Sequence, residues 1–477
     1  MDSSSTQDQT FTTRVSSSFL DGIYFISKPF LRRFLPDPYT EAGNVRVEAK
    51  PASTSRVTIT KIVSPEHCNL NGCAYAGIIL GWIDIAAGIA AKRHAISPSV
   101  TRSVDDVAFL HPIKVGDIVS VQASVNKSWK TSMEVGVKVE AESPLSNERF
   151  FVAHAYLTFV ALSPRPEAKT HLGRVLSDLE PMAVPKLIPQ TDMEKKRFDM
   201  AETRRLQRMQ SKKKSDHRQQ IRDLMREWSQ GLKERVLEDA PIKHHPGYFA
   251  ESPSNSPALI VQDTEEKNGG LSVTELEDHQ ARTAVRRGGR RYSQDPKLGQ
   301  QSDKEQLMSS TFAEVVELVM PQHANTLGIT FGGQIMAWME TCAITSANRL
   351  AKAYLLTASI DSLNFIASSG VGDVVTIRSL VSRSFNSSME VYVTVEAENL
   401  LTGEIKFTND GFFTITALDH ENVPVIIPKV LPQTEAGREL FDGGHERRIK
   451  RLNRRQEVIS LVTASQKSKD PSTPLDS

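Results

Sequence analysis

The chain has 477 residues, a formal net charge of +1, 39% apolar and 24% charged residues. That length suits roughly two to four domains. The composition supplies real cores, excludes a membrane-like chain and argues against nucleic-acid binding through overall charge. Three cysteines, Cys68, Cys73 and Cys342, form no CxxC cluster. An odd count without metal spacing argues against a disulfide framework and for a reducing, cytoplasmic compartment, ahead of a mitochondrial one.

Residues 1–49 read as a partly disordered extension. The serine-rich start is not expected to act as a signal peptide, and Asp2 and Asp8 oppose a transit peptide. Residues 19–37, FLDGIYFISKPFLRRFLPD, mix aromatic and basic side chains, and membrane contact is not expected of them. No stretch of about 20 residues is apolar and uncharged, so no transmembrane helix is expected. Residues 50–165 form a first domain: an extended segment (RVTITKIVSPE), a Gly-rich turn, a long apolar helix from Gly77 and about four alternating strands. Residues 166–249 are a tail ending in a charged, solvated helical segment. Residues 250–305 are rich in Ser, Gly, Asp, Arg and Gln and read as a disordered linker.

Residues 306–420 repeat the first domain, and 421–477 repeat its tail. His67 and His323, Asn69 and Asn325, Gly77 and Gly333, Trp82 and Trp338, Asp84 and Glu340, and Asp105 and Asp361 all stand 256 positions apart. TSMEVGVKVEAE from Thr131 returns as SSMEVYVTVEAE from Ser387 at that offset, and PKLIPQT at 185–191 returns as PKVLPQT at 428–434. A constant offset over about 100 residues means two copies of one domain. Each helix is apolar on nearly every side and must be wrapped by other structure. A curved antiparallel sheet around one helix does this, so the expected class is α+β, a double hotdog.

The helix entries carry the chemistry. Backbone N–H groups at a helix start are unpaired and attract negative charge. Ala76 and Gly77 in one copy, and Gly332 and Gly333 in the other, are therefore candidate substrate-binding positions. Asp84 and Glu340 lie two turns into apolar helices, where a carboxylate is costly unless paired or functional. Each is a candidate base or nucleophile, set against the plainer reading of a satisfied interface residue. Asn69 and Asn325 precede the turns, as turn formers or as amides that position water or substrate. His67 and His323 read as turn or interface residues, and Asp105 and Asp361 as braces.

HANTLGITFGGQIMAWME, the SMEV strands and the PQT tails resemble the tandem-hotdog acyl-CoA thioesterases of the brown-fat-inducible and cytosolic acetyl-CoA hydrolase type. The resemblance covers about 50–165 and 306–445. The resemblance does not extend to the lipid-transfer domain of vertebrate members, so a lipid-transfer role is not expected. The resemblance implies hydrolysis of acyl-CoA to a free acid and coenzyme A, and composite sites that pair Asn325 with Asp84 and Asn69 with Glu340, the first ranked higher. It also implies trimers of the double hotdog. No metal or redox cofactor is implied, coenzyme A being part of the substrate, and no nucleic acid. A hotdog hydratase requires an acid/histidine motif that the entry loops lack. A catalytically silent acyl-CoA sensor or scaffold is the non-enzymatic alternative.

Overall fold

A computed structural model describes residues 48–164, 179–211, 218–238, 284–287, 290–293 and 305–467. The first copy runs β1 (Lys50–Pro51), β2 (Val57–Ile62), α1 (Ala76–Ala95), β3 (Ser99–Val104), β4 (Val107–Ala108), β5 (Ile118–Ser128), β6 (Ser132–Ser143) and β7 (Glu148–Pro164). Its tail holds β8 (Leu179–Pro181), β9 (Leu187–Ile188), α2 (Asp192–Ser211) and α3 (Arg218–Glu238). A hairpin, β10 (Ala284–Arg287) and β11 (Arg290–Ser293), precedes the second copy. That copy runs β12 (Glu305–Leu307), β13 (Ala313–Leu318), α4 (Gly332–Ala351), β14 (Tyr354–Ile360), β15 (Leu363–Asn364), β16 (Asp373–Ser384), β17 (Ser388–Asn399) and β18 (Glu404–Leu418). Its tail is β19 (Lys429–Leu431) and α5 (Glu435–Lys467).

Period-two alternation decides the sheets. In β6, Met133, Val135, Val137 and Val139 are fully buried against α1, and the residues between them face outward. The sheets run β15-β3-β7-β6-β5-β2 and β13-β16-β17-β18-β14-β4. Each takes its last strand from the other copy: Val107 pairs with Ile360, and Leu363 with Val104. Both copies are hotdogs, and each closes the edge of the other's sheet. Among the described residues no helix is long and apolar enough to cross a membrane.

The tail helices are not solvated, as the sequence suggests, but dock on the outer sheet faces. Glu134 of β6, wholly buried, takes hydrogen bonds from Arg204 and Arg208 of α2, and Arg208 also binds Asp105. Glu390 of β17 is bound by Arg447 and Arg451 of α5, and Arg451 also binds Asp361. Burial pushes the Glu390 carboxyl up, but the two guanidinium groups more than offset it and hold it below the usual range. The basic segment from Arg218 likewise lies on the second copy: Ile221 and Met225 are buried, and Arg226 pairs with Glu396. Charge along a helix looks solvated in sequence because the opposing carboxylates lie far away in the chain.

The linker reading needs a second correction. Within 250–305, residues 284–287 pair with 290–293, and Tyr292 is buried, its hydroxyl accepting a hydrogen bond from Asn386 Nδ2. VRRGGRRY carries the Gly-Gly signal of a hairpin, which a long polar window averages away. The rest of that span, up to Glu305, and residues 1–47 lie outside the described residues.

Glu390→Gln removes the buried counter-charge of two arginines and is expected to cost about 3 kcal/mol, read as a lower urea midpoint. Breaking the exposed Lys406–Glu404 pair by Glu404→Gln is expected to leave that midpoint in place.

Candidate active site at the crossing of two helices

Neither central helix caps itself. Tyr75 and Phe331 stand at the N-cap positions and make no side-chain capping bond. The helices instead cross with the first turn of each against the second turn of the other. A Cβ on Gly77 would lie 2.7 Å from Ala337 Cα, and one on Gly333 would lie 2.7 Å from Gly81 Cα. Only glycine permits that approach.

The approach brings each buried acid to the other helix's start. Asp84, 3% exposed, accepts the Gly333 N–H at 2.9 Å and the Thr101 hydroxyl at 2.6 Å, one on each oxygen. Glu340, also 3% exposed, spans both amides: Ala76 N–H at 3.1 Å and Gly77 N–H at 2.5 Å, with the Thr357 hydroxyl at 2.5 Å. Burial raises both carboxyl pKa values. Thr101, Gly333 and the charge of Lys92 pull Asp84 back, whereas only hydrogen bonds from Thr357, Gly77 and Ala76 oppose the rise at Glu340.

Three of the four entry amides therefore behave differently from the sequence expectation. Ala76, Gly77 and Gly333 donate to carboxylates, because an anion in a dry site satisfies orphan donors that nothing else reaches. Gly332 N–H alone has no acceptor among the described residues.

The asparagines divide their two ends. Asn325 Oδ1 accepts Leu327 and Ile329 N–H, and Asn69 Oδ1 accepts Asn71 and Cys73 N–H. Gly328 and Gly72 take positive φ in the same turns, at 74° and 68°. The amide ends differ. Asn69 Nδ2 donates to the Leu355 carbonyl at 3.0 Å, while Asn325 Nδ2 has no acceptor among the described residues.

Asp84, Thr101, Asn325 and Gly332 line one cavity of about 540 Å³. The structure thus brings together the pair ranked first, Asn325 with Asp84. The cavity lining includes apolar Ile85, Ile89 and Phe159 and polar Thr330, Ser368 and Arg102. Arg102 sits at a β-bulge between Thr101 and Ser103, and its buried Nη1 has no partner among the described residues. The matching bulge between Thr357 and Ser359 carries Ala358.

Thr101 and Thr357 escaped the sequence reading, although they stand at the same 256-residue offset as the acids they bind. His67 and His323 pack edge-on against Trp82 and Trp338 at 5.1 and 5.0 Å, which fits their reading as turn residues. Among the described residues no cluster of three or more His, Cys, Asp or Glu is placed to hold a metal ion.

The model of the thioesterase superfamily matches residues 71–146 and 327–404. A mouse acyl-coenzyme A thioesterase 11 is 30% identical over 88% of this chain and 56% of its own length. A Bacillus subtilis protein named uncharacterized acyl-CoA thioester hydrolase YkhA is 36% identical over 31% of this chain and 85% of itself. The human cytosolic acyl coenzyme A thioester hydrolase is 25% identical over 83% of each. A solved hexameric acyl-CoA thioesterase is 32% identical, covering 35% of this chain and 97% of its own, with a TM-score of 0.30. The chain spans little more than half the length of the mouse thioesterase 11 and mouse acetyl-coenzyme A thioesterase that it matches.

A carboxyl whose folded pKa is raised contributes stability that is present below its unfolded pKa and lost as pH rises through the folded value. Asp84→Asn removes that loss. The variant is expected to show a higher urea midpoint than the parent at neutral pH, with the gap closing as pH falls toward about 4.

Proposed function

This chain belongs to the thioesterase superfamily, and from that premise we propose that it hydrolyses acyl-CoA to a free carboxylic acid and coenzyme A at the Asp84–Asn325 site. The observation that carries the choice of site is the cavity itself, whose lining holds an unspent amide (Gly332), an unspent side-chain amide (Asn325) and a buried carboxylate (Asp84). At the other crossing Glu340 takes both entry amides and Asn69 is held by Leu355.

Asp84 is the general base. Its two oxygens are oriented by Thr101 and Gly333 and keep further lone pairs. It takes one proton from water as the oxygen attacks the thioester carbonyl. Gly332 N–H and Asn325 Nδ2 stabilise the oxygen that gains charge, a contribution of about 3–4 kcal/mol for a well-placed donor. The C–S bond then breaks, and the proton passes to the departing thiolate. The polar lining with Arg102 suits the coenzyme end of the substrate. The reading calls for no cofactor beyond the coenzyme A of the substrate and no nucleic acid.

We also propose a cytoplasmic setting, supported by relatives named cytosolic, and trimers of the double hotdog. The exposed Met193, Met200 and Met209 of α2 offer apolar surface for such contacts. Light scattering is expected to give the mass of three chains; a strict monomer would count against the trimer.

Release of free thiol from acyl-CoA tests the site. Asp84→Asn and Asn325→Ala are each expected to lower kcat by about 10²-fold or more, and the double variant to be little worse than the poorer single. Glu340→Gln and Asn69→Ala are expected to keep most activity. Equal losses from either acid would mean two working sites, and full activity in Asp84→Asn would remove the base from the mechanism. Turnover in the parent should also fall as pH drops through a value above the ordinary carboxylate range, because only ionised Asp84 accepts the proton.

A further inference from the structure

We infer that the wall of α1 beyond Asp84 is a subsite for a hydrocarbon acyl chain, and that Gly88 sets the length of chain it takes. The assignment deepens the thioester reading and rests on it. Asp84, Ile85, Gly88, Ile89 and Lys92 fall on one face of α1 and all line the cavity. They run about 12 Å along the helix from the acid. Ile85 stands 43% exposed on this face, and Phe159 faces the same space. An apolar wall open to water beside a reactive carboxylate, uncharged until Lys92, suits an alkyl chain leading away from the thioester carbonyl.

The second copy shows that the fold does not require this wall. The four positions after the acid are there Thr341, Ile344, Thr345 and Asn348. The hydroxyls of Thr341 and Thr345 turn back to the helix carbonyls of Ala337 and Thr341. Where Ile344 fills one helix, Gly88 leaves the other bare. A glycine inside a helix costs about 1 kcal/mol relative to alanine, so Gly88 stands against helix propensity. Packing does not demand it either: a Cβ there would stand 3.8 Å from Phe159 Cε1, an ordinary contact. What the missing side chain provides is room along the apolar wall.

The test is calorimetric binding of uncleavable thioether analogues of acyl-CoA with ethyl, octyl and hexadecyl chains to the full chain. Affinity in the parent is expected to rise at least about tenfold from ethyl to octyl, given the worth of each buried methylene. Gly88→Ile, which copies position 344, is expected to cut that ratio about tenfold, and Gly88→Ala to cut it less. If Gly88→Ile does not fold, Ile85→Thr with Ile89→Thr must produce the same loss. Length-independent affinity in the parent, or an unchanged ratio in the folded variants, overturns the subsite. The analogues are not cleaved, so the result is separate from hydrolysis: length-dependent binding without thiol release from any acyl-CoA would sink the hydrolytic reading and leave the subsite standing.

Discussion

Each central helix is capped by an acid that belongs to the other. A helix start leaves backbone donors unpaired, and here the N-cap residues supply nothing. A carboxylate inside an apolar helix is costly unless it is bound. The two deficits cancel when the helices cross at Gly77 and Gly333, with Gly81 and Ala337 beneath them. One copy alone would leave both unmet. The exchanged strands β4 and β15 tie the copies a second time. The unit that folds is therefore the pair, and duplication within one chain supplies it.

One methylene separates the two crossings. Glutamate reaches both entry amides and closes its own anion site; aspartate reaches one and leaves Gly332 open. Other differences point the same way. The amide nitrogen of Asn69 is bound where that of Asn325 has no acceptor among the described residues, and Lys92 and Arg102 stand where the second copy has Asn348 and Ala358. On the proposed reading the Glu340 crossing serves as a joint. The Asp84 crossing keeps an incompletely satisfied set of donors facing a cavity, which is where a substrate can supply the missing partner.

Much of this was legible in the sequence. The 256-residue offset set out two domains, and the apolar helices with their lone acids pointed to both crossings. The direction of the entry amides was not legible: the same glycine turns face a substrate or a neighbouring carboxylate, depending on how close two helices come. Thr101 and Thr357 looked like ordinary strand residues, since threonine is common there. The tail helices were misread because Arg204 and Arg208 recur as Arg447 and Arg451 at an offset of 243, while Glu134 and Glu390 keep 256. Only the folded chain lays the two repeats on each other.

On the proposed reading each chain holds one open site and one closed site. Calorimetric stoichiometry with an uncleavable 2-oxoalkyl-CoA, a thioether that keeps a ketone oxygen for Gly332 and Asn325 to bind, measures it directly. The account predicts one molecule bound per chain, abolished by Asn325→Ala with Arg102→Ala and retained in Asn69→Ala. Two equivalent molecules per chain would contradict it, because the Glu340 crossing would then have to open as readily as its partner.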